Sequence, residues 1–176
     1  MKKYIVILGL VSANAFALSA TQINSLHSYV LTDSTSQACI TAGDDGCLYN
    51  RLNSQSSFIV WKTRLNEQDI YNSSGFNFTL VDGLTAGKRD EWINFIFKNG
   101  SCDPSKANIR AGFTDVWSGT AAKVAVNDAI LELSKRAATV AESVLATGTG
   151  TTNSPGLLTF EGNISFQDLP RIKENN

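Results

Sequence analysis

The sequence predicts an α+β fold, mainly a helical bundle, with short strands and a C-terminal β-hairpin. Three observations carry this. Long stretches place apolar residues three and four positions apart. One run, "SFIVWKT", is dense in β-branched and aromatic residues. Two short alternating runs near the end flank Glu161-Gly162-Asn163. At 176 residues, 43% hydrophobic and 18% charged, the chain suits one globular domain, expected over residues 18–170.

The opening "MKKYIVILGLVSANAFALSATQ" has a positive n-region (Lys2, Lys3), an apolar core from Tyr4 to Val11, and small residues at Ala15 and Ala17. That is the pattern of a secretory signal over residues 1–17, cleaved after Ala17. Cleavage would remove both lysines and leave 13 basic and 16 acidic residues, a net charge of about −3. "TQINSLHSYVL" then sets Ile23, Leu26, Tyr29 and Val30 on one helical face, and "TDSTSQACITAGDDG" reads as loop. Cys39 and Cys47 bracket a Gly- and Asp-rich turn. A bridge there would contribute roughly 2.5 kcal/mol through chain entropy and requires an oxidising compartment; Cys102 is left over. The alternative is three reduced cysteines in a cytosolic protein.

"SFIVWKT" is the first clear strand, and "NSSGFNFTLVDGL" reads as turn, short strand, turn. Three main helices follow. The first spans about 86–98, capped by Thr85 and stopped at Asn99-Gly100; its aromatic density predicts burial on more than one face. The second spans about 104–118, with Asp103 as cap, Pro104 in the first turn and Ile109, Phe113, Val116 and Trp117 inward. The third spans 121–147, about 40 Å long, with Val126, Ile130, Leu133, Ala137, Val140 and Val144 along one seam and Gly148 closing it in a left-handed conformation. "ATGTGTTNSPG" is a loop of small residues, "LLTFEGNISFQD" the hairpin, and residues 171–176 a flexible tail.

Several chemistries find no support. Net charge is −1 with no run of five like charges, so no footprint for nucleic acid is visible. No apolar run approaches the roughly 18 residues of a membrane span. His27 is the single histidine, on an amphipathic segment, and reads as a rim residue. The cysteine spacing fits no zinc site, and no nucleophile elbow is present. Ser105-Lys106 and Ser134-Lys135 are sequence neighbours, about 100° apart on a helix, so neither pair is a nucleophile with its base. "GTGTG" follows a helix and lacks the lysine of a phosphate loop. Asp44-Asp45-Gly46 lacks the closing glutamate of a calcium loop and reads as a turn. The expectation is a non-enzyme with no catalytic residues, metal or cofactor.

From "VWKT" onward, "DPSKANIRAGFTDVWSGT" and "LSKRAATVAESVLATGTGTTNSPGLLTFEGNISFQDL" resemble a family of small proteins encoded by tailed bacteriophages and prophages among their virion structural genes. The resemblance covers about residues 57–169. Its most specific parts are the Asp-Pro-Ser helix start, Lys135-Arg136-Ala137, and "ATGTGT" with its Ser-Pro, followed by "FEGNISFQD". It implies a structural or assembly component of the neck or tail, located in the virion, with other virion proteins or further copies of itself as partners. It supplies no catalytic residues. On this reading Thr149, Gly150, Thr151 and Thr152, with the hairpin, reach a neighbouring subunit by strand addition. Arg110, Lys135 and Arg136 pair with acidic groups within or between subunits. Members begin near "ATQINSL" with no signal, and particles assemble in the cytoplasm. Either the opening stretch is no signal, or this copy is a periplasmic or secreted binding module stapled by Cys39–Cys47.

Overall fold

Two hydrophobic cores and two two-stranded sheets make up the structure, a computed structural model that describes residues 18–174. The expected export signal, residues 1–17, lies outside the described residues. The fold is α+β and mostly helical, as the sequence predicts.

The first core gathers short, well-capped helices. α1 (Ala20–Thr32) starts from a capping box in which Ser19 and Gln22 exchange side chain-to-backbone hydrogen bonds. Asp33 ends α1 and caps α2 (Ser34–Thr41), accepting from the Ser36 N–H at 2.9 Å. Asp44 caps α3 (Asp45–Asn53) in the same way through Cys47. The stretch read as loop is therefore half helix, because each aspartate can end one helix and begin the next. Ile23, Leu26, Val30, Leu48 and Leu52 are buried together here.

β1 (Gln55–Trp61) pairs antiparallel with β4 (Lys135–Thr139), with Trp61 opposite Lys135 and Val60 opposite Arg136. This corrects the expected helix over 121–147. It is α8 (Ala121–Leu133), then β4, then α9 (Val140–Leu145). The reason is backbone satisfaction: β1 needs a partner ladder, and residues 135–139 supply it. Lys62 N–H donates to Ser134 O at 2.8 Å where α8 stops, and a Thr139/Glu142 capping box starts α9.

The second core is aromatic. β2 (Leu65–Asn66) pairs with β3 (Ser101–Cys102), and α4 (Glu67–Tyr71) and α5 (Thr79–Asp82) lead to α6 (Ala86–Asp90). α6 continues as a π-helical turn, Glu91–Ile96. Trp92, Ile96 and Phe97 are buried, but Ile93 and Phe95 are exposed, so this helix buries one side rather than several. α7 (Ala107–Val116) begins later than expected. Asp103 holds a turn at Ser105, accepting from its N–H and hydroxyl, instead of capping a helix at Pro104. Trp92 and Trp117 meet nearly edge to face, centroids 5.3 Å apart, with Phe76, Phe97 and Phe113 around them.

The expected C-terminal hairpin is absent. Its backbone groups bond side chains elsewhere: Ile164 N–H donates to Asn53 Oδ1 at 2.8 Å, Ile164 O accepts from Asn53 Nδ2, and Gly162 N–H donates to Glu142. A 3-10 turn (Phe166–Asp168) leads into α10 (Leu169–Glu174). Leu169 and Ile172 are fully buried against α1, so residues 171–174 are a docked helix and not a loose tail. His27 sits at this contact, its Nδ1–H donating to Ile172 O at 2.8 Å.

Candidate functional site

A hollow opens between the end of β1, the helices α7 and α8, and the small-residue loop. Trp61 ends β1, and Lys135 stands opposite it at the start of β4. Arg110 comes from α7, its guanidinium carbon 4.4 Å from the centroid of the Trp61 ring; Lys135 Nζ is 5.7 Å from the same centroid. Ala111 and Thr114 of α7, Leu131 of α8, and Thr152, Asn153 and Pro155 of the small-residue loop complete a cleft of about 420 Å³. A second hollow of about 200 Å³ adjoins it, sharing Lys135 and Thr152 and adding Ile59, Glu132, Arg136 and Ala137.

The small-residue loop is fixed by the protein's own strand. Ile59 N–H donates to Gly150 O at 2.7 Å, Gly156 N–H donates to Ile59 O at 2.8 Å, and Trp61 N–H donates to Gly156 O at 3.1 Å. The β1 edge turned away from β4 is thus occupied by residues of the same chain. Gly150 is required. Its φ is +65°, and a Cβ there would lie 2.2 Å from the Phe58 ring. Gly150 is therefore buried under Phe58, while Thr149, Thr151 and Thr152 are exposed; only Thr152 of the four lines the cleft. Thr149 Oγ1 donates to Ser154 O, closing the tip.

The three cations singled out in the sequence have different partners. Arg136 makes a two-pronged pair with the buried Glu142 (2.7 and 2.8 Å) and also reaches Glu161 at 3.3 Å. Hydrogen bonding to Glu142 raises the Arg136 pKa. Burial pushes the Glu142 carboxyl up, but bonds from Arg136, Gly162 N–H and Thr139 N–H outweigh it and hold it below the usual range. Lys135 pairs with the exposed Glu132 at 2.5 Å. Arg110 is the exception to the expected acid pairing. Its Nη1 donates to the carbonyls of Pro104 and Ser105, at 2.6 and 2.9 Å, and no carboxylate reaches it among the described residues. Burial lowers its pKa.

Cys39 and Cys47 are bonded, Cα–Cα 5.5 Å, tying α2 to the first turn of α3. Cys102 is a buried free thiol, its pKa pushed up to about 12 by burial and by the charge of Asp103. No group of three or more His, Cys, Asp or Glu suited to a metal occurs among the described residues. No helix among them is long and apolar enough to cross a membrane.

Sequence reasoning named Arg110 and Lys135 but missed Trp61 as their common platform. One signal was present. Positions 106, 107, 113 and 114, the helical neighbours of Arg110, hold no acid, so its charge had to be met off its own helix. The chain matches no protein-family model, no curated protein and no solved structure.

Proposed function

We propose that this protein is a non-enzymatic structural or assembly component of a tailed-phage particle, in the neck or tail, that works by contact with other virion proteins or with further copies of itself. One observation carries the reading. The segments that resemble the phage family are far apart in sequence, yet "VWKT" contributes Trp61, "DPSKANIRAGF" Arg110, "LSKRAAT" Lys135, and "TGTGTTNSP" Thr152 to a single open cleft. We read a surface built from all four as a contact surface. The test is incorporation. Purified particles should contain the chain at a fixed copy number by quantitative mass spectrometry, and Trp61→Ala or Thr152→Asp should give folded protein that no longer incorporates. Particles lacking the chain would end this reading.

A second reading has its own support. The bonded Cys39–Cys47 pair, and a core that takes in Leu18 directly after the expected cleavage point, favour an exported binding module. N-terminal sequencing of the natural product separates the two. A start at Leu18 with one titratable thiol supports export; a start at Met1 with three thiols removes it.

A further inference from the structure

We infer that the Trp61–Arg110–Lys135 cleft is a receptor for an acidic side chain, a carboxylate on an aliphatic stem, presented by a partner protein. The inference rests on reading the cleft as a contact surface and adds the chemistry of what enters it.

Arg110 carries the argument. Both of its hydrogen bonds use Nη1, which braces the Pro104–Ser105 turn. The ring of Trp61 holds the guanidinium by its face. The opposite edge, Nε–H and Nη2–H, has no partner among the described residues. Those two parallel donors match the two oxygens of a carboxylate. The stacking and the Nη1 bonds fix the fork in advance, so little rotamer freedom is lost on binding. A half-buried cation with no acid beside it among the described residues is what an unfilled anion seat looks like; the lowered pKa of Arg110 agrees.

The rest of the cleft fits a stem better than a bare anion. Ala111, Leu131 and Pro155 are apolar walls, and about 420 Å³ holds more than a carboxylate group. Thr114, Thr152 and Asn153 offer polar rim groups. Glu132 bonds Lys135 and so partly neutralises the second cation. It is the natural competitor of an incoming acid.

The test is an NMR titration of the full-length oxidised protein, following the Trp61 indole N–H and the Arg110 Nε–H. The probes are N-acetyl-glutamate methylamide, its glutamine counterpart, acetate and inorganic phosphate at constant ionic strength. The glutamate probe should shift both signals saturably, with a dissociation constant on the order of 1 mM. The glutamine probe should bind at least roughly tenfold more weakly, because the charged two-point bond is lost. Acetate should bind more weakly than the glutamate probe. Arg110→Lys should weaken binding at least about fivefold. Glu132→Gln, an exposed change that leaves the fold intact, should tighten it about two- to threefold by removing the competitor. Glutamine binding as well as glutamate, phosphate binding more tightly, or no shift with any probe would each overturn the inference. If the probes fail while Trp61→Ala still blocks incorporation, the contact surface survives and its acidic ligand does not. If the probes bind but Trp61→Ala incorporates normally, the particle reading fails on its own.

Discussion

The two cores are held together by different means. The stapled region, α1–α3 with α9 and α10, is built from helices of 13 residues or fewer whose ends are capped by Ser19, Asp33, Asp44 and Thr139. Its polar groups are matched: Asp33 accepts from Arg51 at 2.8 and 3.0 Å and from Ser36, and Glu142 is met by Arg136. The aromatic region, from β2 to α8, has no covalent tie. It relies on Trp92, Trp117, Phe97 and Phe113, and it leaves Trp117 Nε1 and Asn127 Oδ1 buried without a partner among the described residues. Short helices are marginal alone, so local caps and a bridge suit the first region. In the second, Thr85 and Thr120 still cap α6 and α8, but large rings bury enough surface to dispense with a bridge.

The sharpest way to break this contrast is to remove a ring. Trp117 is fully buried and touches both Trp92 and Phe76. Trp117→Ala should cost about 3–5 kcal/mol, a large share of a domain's stability. Urea midpoints should fall accordingly, and tertiary signals from the aromatic region should be lost first. A loss below about 1 kcal/mol would mean the rings do not hold that core.

How much of this was legible depends on where backbone groups are satisfied. The buried face of α7 around Phe113 showed in its spacing, whereas aromatic density around Trp92 hid the fact that only one side is buried. β4 did not, because Ala137 and Val140 extend the seam of Ile130 and Leu133 in phase, and only pairing to β1 overrides it. The Thr139-x-x-Glu142 box was the local clue to a new helix start. The hairpin failed for a related reason. Asn53, 111 residues from Ile164, takes the hydrogen bonds a hairpin would have used, and nothing local announces that. In the cleft, the cations were visible by type, but the Trp61 platform depends on the β1–β4 register.

Reduction comes next in size. Cys39–Cys47 closes a short loop between α2 and α3. Breaking it should cost about 2.5 kcal/mol in the chain-entropy picture. Hydrogen exchange should then speed up in α2 and α3 while α7 and α8 keep their protection. Equal loosening of both regions would show that the two cores unfold as one unit and that the contrast is only architectural.

Gly150 probes the seam between the regions. The left-handed backbone alone costs roughly 1–2 kcal/mol for alanine, and the Phe58 contact adds to it. Gly150→Ala should lower the thermal midpoint and perturb the cleft, whereas Thr151→Ala, exposed on the same loop, should leave stability unchanged. Gly150→Ala with wild-type stability would mean that the loop is not seated on β1.

The smallest expected effect is acid sensitivity, and it should be one-sided. Both carboxylates held clearly low belong to the stapled region. For Asp33 the hydrogen bond from Arg51 is the main cause, opposed by burial and assisted by Ser36; for Glu142 burial is outweighed by Arg136 and two backbone N–H groups. A carboxylate depressed in the folded state takes up fewer protons folded than unfolded between its two pKa values. Its contribution is therefore complete above the unfolded value, about 4, and drains away as pH falls toward the folded one. As pH falls from about 4 to about 3 the stapled region should lose on the order of 1 kcal/mol. Methyl NMR signals of Leu26 and Leu48 should broaden or shift in acid before those of Ile130 and Val126, which lie in the aromatic core. Asp33→Asn should flatten the acid dependence as well as lower stability at neutral pH, a signature that loss of packing alone does not give. Simultaneous acid loss in both sets of methyls would show that the ion pairs hold the whole chain rather than one half of it.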